Sequence, residues 1–205
     1  MKKRQQLARG VTLMEILIAM GILLLIGASL WGIQKNFSSS NTYLTDSLNA
    51  QGEARGMLKI LSAEVRSLSP SSNGTYPIEQ ASSTSLVFYS DIDNDTLKER
   101  VHYYLDGSVV RKGTVKPTGA PLSYNLGTET LKEVMHDVIN GTTTPLFNFY
   151  DSTYAGTSSP LGEPVVAADI RLVQITIIVD KDPDKPPTPL TFSTAVTPRN
   201  IKDNL

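Results

Sequence analysis

The chain has 205 residues, of which 40% are hydrophobic, and its 20 acidic and 19 basic side chains give a net charge of −1. This balance carries no basic surplus of the kind that binds nucleic acid. The absence of cysteine excludes disulfides, thiolate metal centres and a cysteine-linked lipid anchor.

Residues 1–10 carry Lys2, Lys3, Arg4 and Arg9 and no acid, whereas Glu15 is the only charge in the next 23 residues, Val11 to Ile33. At about 1.5 Å per residue that run reaches roughly 35 Å, enough to cross the hydrocarbon core of a bilayer. The pattern predicts a transmembrane helix over 11–33. The positive-inside rule then leaves the basic N-terminus in the cytoplasm and the remainder outside. A carboxylate at the bilayer centre costs about 2.5–3.5 kcal/mol, and less toward the end of a span, so Glu15 marks a partner or a function unless it snorkels to the headgroups. A conventional signal peptide cut near Ser29 is a weaker reading, because the run is long for such a segment and holds an acid in its body.

A basic leader ending in Gly10, then Val11-Thr12-Leu13-Met14-Glu15 and a further apolar run, resembles the cleavage and methylation segment of type IV prepilins and type II secretion pseudopilins. The resemblance covers about the first 35 residues. It implies cleavage between Gly10 and Val11 by a membrane prepilin peptidase, N-methylation of Val11, and an assembly role for Glu15. The implied partners are other pilin or pseudopilin subunits, the peptidase, an inner-membrane assembly platform and membrane lipid. The implied location is the bacterial cell membrane and then a filament. Independently of the family, a freed Val11 amine would be largely cationic at neutral pH. In lipid, the Glu15 carboxylate of a neighbouring subunit would attract it strongly and favour one axial register. Removing the leader would also move the net charge from −1 to −5.

Beyond the span, Ala54, Met57, Leu58, Leu61, Val65 and Leu68 recur at helical spacing, so residues 34–69 read as an amphipathic continuation stopped by Ser69-Pro70. A β-rich head then occupies 70–205, and its size suits one domain with its own core. Residues 70–83 read as a surface loop, and Ser85–Ser90, Arg100–Leu105 and Val109–Lys112 as a meander whose Asp106-Gly107 signals a type I′ turn. Between the first two strands, Asp91, Asp93 and Asp95 form a D-x-D-x-D run of the kind that holds calcium. The sixth and twelfth positions of an EF-hand loop would be Thr96 and His102 instead of Gly and Glu, so an acidic turn is the plainer reading and calcium the alternative.

Thr130-Leu131-Lys132-Glu133 matches a capping box and predicts a short helix with Leu131, Val134, Met135 and Val138 on one face, ended by Gly141. Leu146–Tyr150, Ile170–Val179 and Leu190–Val196 read as strands, the last two joined into a hairpin by the Pro-rich turn 181–187. Tyr103-Tyr104-Leu105-Asp106-Gly107 with Arg111, Phe147-Asn148-Phe149-Tyr150-Asp151 and Arg199-Asn200 resemble segments of the J-class minor pseudopilins and W-class minor pilins. The expected fold is thus α+β, pilin-like, with a long N-terminal helix packed on an antiparallel sheet. His102 and His136 lack catalytic neighbours in sequence, and neither a G-x-S-x-G nor a phosphate loop is present, so enzymatic activity is not expected. The expected function is a minor structural subunit of a type IV pilus or a secretion pseudopilus. The alternative is a single-pass anchored extracellular binding protein that does not polymerise.

Overall fold

Helix α1 runs from Leu13 to Arg66, and ten strands follow it, so the fold is α+β with a long N-terminal helix ahead of antiparallel sheets. The computed structural model describes residues 11–181 and 188–201, the side chains of 35–44 and 46 excepted. The chain divides into two units, Met1–Thr45 and Asp46–Leu205.

In the first unit, Leu13–Gln34 is a 22-residue stretch with a mean hydropathy of 2.5, long and apolar enough to cross a membrane. None of its large side chains is buried, with exposure running from 49% at Ile26 to 79% at Leu13. So large an apolar surface cannot remain in water and calls for lipid or other helices around it. An N-terminal membrane anchor and a signal sequence both meet that description.

In the second unit the rest of α1 and the turn that follows it bury the expected stripe: Ala54, Leu61, Val65 and, just past the helix, Leu68 are fully inaccessible, and Met57 and Leu58 nearly so. Each large apolar side chain buried contributes about 1.5–3 kcal/mol, which outweighs the roughly 1 kcal/mol lost at Gly52 and Gly56. The helix ends where Ser67 N–H is shared between the Ala63 and Glu64 carbonyls, and Ser69 N–H then donates to Tyr89 O on β2. Two of its terminal groups are closed from the far end of the chain: Arg199 N–H donates to Arg66 O, and Asn200 Nδ2 donates to Leu68 O at 2.9 Å.

The stripe packs on two antiparallel sheets. The first has the order β1-β2-β3-β4-β7, from Ile78–Ser82, Ser85–Ser90, Glu99–Asp106, Val109–Val115 and Thr130–Met135. A small ribbon of β5 (Pro117–Thr118) and β6 (Ser123–Tyr124) stands between β4 and β7. The second sheet has the order β10-β9-β8, from Leu190–Val196, Leu172–Val179 and Phe147–Tyr150. The turns at 83–84 and 107–108 lie at the same end of the first sheet, where Ser83 O accepts from Phe147 N and Ser108 O from Val138 N. These bonds tie the two sheets together. The opposite end carries the acidic loop between β2 and β3.

The meander and the terminal β9–β10 hairpin stand as expected, although turn residues 182–187 lie outside the described residues. Three readings need correction. The expected helix over 130–138 is strand β7: the open edge of β4 pairs with it, Arg111 opposite Glu133 and Gly113 opposite Leu131. Of the expected helical face Met135 and Val138 are buried in the core, Val134 packs against it partly buried, and Leu131 is 52% exposed. The expected loop over 70–83 contains β1, which pairs with β2 through Ala81 opposite Leu86. Finally, Asp106 pairs with Val109, so the hairpin loop is Gly107-Ser108, with φ +60° at Gly107 and no positive φ at Ser108. Glycine alone at the first central position is the II′ pattern rather than I′.

Candidate functional site

Two clusters hold the residues singled out in the sequence. The first is the start of α1. Thr12 stands immediately before the helix, and its N–H and Oγ1 both donate to Glu15 Oε2, at 3.0 and 3.1 Å, while Glu15 N–H donates to Thr12 Oγ1 at 3.3 Å. Thr12 and Glu15 therefore form a reciprocal capping box. The carboxylate satisfies the Thr12 N–H and hydroxyl, and the bonds described for it fall on Oε2 alone. Val11 precedes the cap and is exposed. Gly10 and the rest of the leader lie outside the described residues.

The second cluster is the β2–β3 loop. Here the D-x-D-x-D run is only partly assembled. Carboxylate oxygens of Asp91, Asp93 and Glu99 lie within 4.8 Å of one another, and Asp95 is not in the set. Asp95 instead accepts from Leu97 N–H at 2.9 Å and from Lys116 Nζ at 3.1 Å. Lys116 also binds Asp93, and Lys98 Nζ reaches Asp91 Oδ2 at 3.2 Å. Thr96 N–H donates to the same Asp91 oxygen, and Thr96 holds φ +78°, so a left-handed residue stands where an EF-hand loop has glycine. The loop is fixed from below by Tyr124 of the β5–β6 ribbon: its hydroxyl donates to Lys98 O at 2.6 Å and accepts from Ser72 N–H at 3.0 Å.

Glu99 is the residue the sequence reading missed. In Lys98-Glu99-Arg100 it looks like part of a solvated charge run, but strand alternation puts it on the core face of β3 with Val101 and Tyr103. It is fully inaccessible. Its Oε2 accepts from Ile92 N–H at 3.0 Å, while Oε1, like Asp91 Oδ1, is buried without a hydrogen-bond partner. The two types of carboxylate titrate in opposite directions. Burial raises the Asp91 carboxyl, but the hydrogen bond and charge of Lys98 outweigh it and hold the group below its ordinary range. Lys116 lowers Asp93 in the same way, chiefly through its hydrogen bond. Glu99 makes no ion pair among the described residues, and burial pushes it up.

The outer face of the first sheet carries a third polar group. Arg100 holds Glu79 in a two-pronged pair at 2.8 and 3.0 Å, and Tyr89 O–H donates to Glu79 Oε2 at 2.7 Å. Burial together with that carboxylate pushes the Tyr89 hydroxyl up to about 12. His102, which lacked catalytic neighbours in sequence, gains two from elsewhere in the chain, Nε2 lying 3.0 Å from Ser85 Oγ and Nδ1 3.8 Å from Glu129 Oε1, while its ring stacks on Tyr104 of its own strand. The order Ser, His, Glu is that of a hydrolytic triad. However, 3.8 Å is too long for the orienting hydrogen bond, and Ser85 lies in a regular strand rather than on an exposed turn. His136, placed on a helix by the sequence, follows β7 and lies 3.8 Å from Glu133.

Comparisons with family models, with curated proteins and with solved structures find no significant match.

Proposed function

We propose that the chain is a structural subunit of a type IV pilus or type II secretion pseudopilus, cut between Gly10 and Val11, methylated on Val11 and polymerised through the apolar half of α1. One observation carries the reading: a carboxylate in the first turn of a 22-residue apolar helix that directly follows a cationic leader ending in glycine. Capping accounts for one oxygen of Glu15 and leaves Oε1 to meet the Val11 amine of a neighbour. That amine exists only after cleavage, so processing would precede registered assembly. The exposed helix surface supports the reading because packed helices or lipid must cover it. The long helix ahead of an antiparallel β head supports it at the level of architecture.

The test is the intact mass and N-terminal residue of the membrane-purified protein. A start at Val11 bearing one methyl group is expected; a start at Met1 or Ser29 overturns the reading. Glu15→Ala is expected to leave the melting temperature of the head unchanged while reducing incorporation into filaments at least tenfold, as about 1.4 kcal/mol per subunit contact would. Unchanged incorporation would remove Glu15 from assembly and favour a non-polymerising anchored protein.

A further inference from the structure

We infer that Asn73 is a site of non-enzymatic modification, at which water converts the side-chain amide to aspartate and isoaspartate with loss of ammonia. The chain has two Asn-Gly pairs, Asn73-Gly74 and Asn140-Gly141. In both, the glycine is exposed and a Cβ on it would meet nothing within 4 Å, so access to its peptide nitrogen does not separate them. The asparagine side chains do. Asn73 is exposed, and the Ser71 and Thr75 hydroxyls stand 2.6 and 2.9 Å from its Oδ1. The two hydroxyls also touch each other, so whichever donates to its neighbour, the neighbour's proton remains for Oδ1. Thr75 N–H, bonded chiefly to Ser71 Oγ at 2.7 Å, faces Oδ1 at 3.4 Å in the manner of an Asx turn, which curls the side chain back over Gly74.

These contacts suit the reaction. The Gly74 nitrogen gives its proton to water or hydroxide and attacks Asn73 Cγ, and negative charge develops on Oδ1, where donors already point. The Cγ–Nδ2 bond then breaks, ammonia leaves with a proton from solvent, and a cyclic imide remains. Water opens the imide at either carbonyl, giving aspartate by one route and isoaspartate by the other, and nothing is oxidised or reduced. Asn73 Nδ2 donates no hydrogen bond among the described residues, so the leaving group is free, and a carboxylate accepts every bond that Oδ1 accepts. Asn140 is the opposite case. Its Nδ2 donates to Thr144 O and Thr176 O at 3.1 and 2.9 Å, and its Oδ1 accepts from Ile178 N–H at 2.9 Å. Attack there must first break these bonds, and a carboxylate in its place would face two carbonyl oxygens with no proton to offer them. The inference concerns the head alone and does not rest on the filament reading.

The test incubates the full chain in detergent at mildly alkaline pH and maps its peptides by chromatography and mass. Aspartate and isoaspartate are expected to form at residue 73 about tenfold or more faster than at residue 140, a barrier difference of about 1.4 kcal/mol. The same chain unfolded in urea should react at both pairs at similar rates, since only the Asn-Gly sequence then acts. Ser71→Ala with Thr75→Val removes both hydroxyls and should slow residue 73 in the folded chain but not in urea. Asn73→Asp should leave the melting temperature unchanged, whereas Asn140→Asp should lower it. Equal rates at the two pairs in the folded chain, or a faster reaction at residue 140, overturn the inference. An unchanged or faster rate at residue 73 in the variant without hydroxyls overturns the role given to Ser71 and Thr75.

Discussion

Glu64 joins the helix to the sheet by charge rather than by shape. Its Oε2 accepts from the Tyr103 hydroxyl at 2.9 Å and its Oε1 from Lys112 Nζ, whose ammonium also lies 5.4 Å from the centre of the Tyr103 ring. Burial, followed by the Glu64 charge, pushes the Tyr103 hydroxyl far up, so it stays a donor at any ordinary pH. Both ends of the ion pair are less than 15% exposed. A pair buried to this degree adds little net stability but is costly to break, because the surviving charge has nowhere to go. Glu64→Ala is therefore expected to cost about 3–5 kcal/mol in chemical denaturation, and Glu64→Leu with Lys112→Met to recover most of that loss. If the single substitution costs under 1 kcal/mol, the pair is solvated and this account of the interface fails. Glu99 stands between Lys98 and Arg100 in sequence, like part of a solvated charge run, and only the face it takes on β3 separates a solvated acid from a buried one. Glu15 was legible because its surroundings are apolar in the sequence itself.

At the scale of elements the same short pattern occurs twice with opposite outcomes. Thr12-x-x-Glu15 caps a helix, whereas Thr130-x-x-Glu133 lies in strand β7. A capping box satisfies only local N–H groups, and at 130–135 the unpaired edge of β4 offers a full ladder to the same backbone. Sequence periodicity identified the strands with strong alternation, β9 and β10, and the stripe of α1, because their burial follows their own pattern. It missed β1, whose Ile78-Glu79-Gln80-Ala81-Ser82 carries almost no alternation and is held by pairing to β2. One glycine in β4 shows how the sheet's outer face depends on element packing. A Cβ on Gly113 would lie 2.1 Å from Glu129 Oε1, so the glycine makes the space in which Glu129 approaches Arg100 and His102. Gly113→Ala is expected to displace Glu129 and destabilise the head by about 1–2 kcal/mol in denaturant titration. Adding Glu129→Ala should relieve the clash, so that the double variant is no less stable than Glu129→Ala alone. A double variant that shows the sum of both losses would place the strain in the backbone of β4 instead.

For the molecule as a whole, the two units answer to different solvents. The hydrophobic core of the second begins with Ala54, and Ala50 packs against it; its sheets, its helix end and the ties from Arg199 and Asn200 all lie within 46–205. The first unit offers an apolar helix surface that none of its described residues cover. Starting the chain at Asp46 would leave two turns of helix before Ala54 and put an acid at the new N-terminus, where the helix dipole favours it. The fragment 46–205 is therefore expected to be soluble without detergent. It should melt cooperatively within about 3 °C of the full chain in detergent, a shift that corresponds to about 1 kcal/mol at this size. A fragment that aggregates or unfolds gradually would mean that the helix before Asp46 supplies part of the head's stability. The apolar half of α1 would then be a structural element of the head.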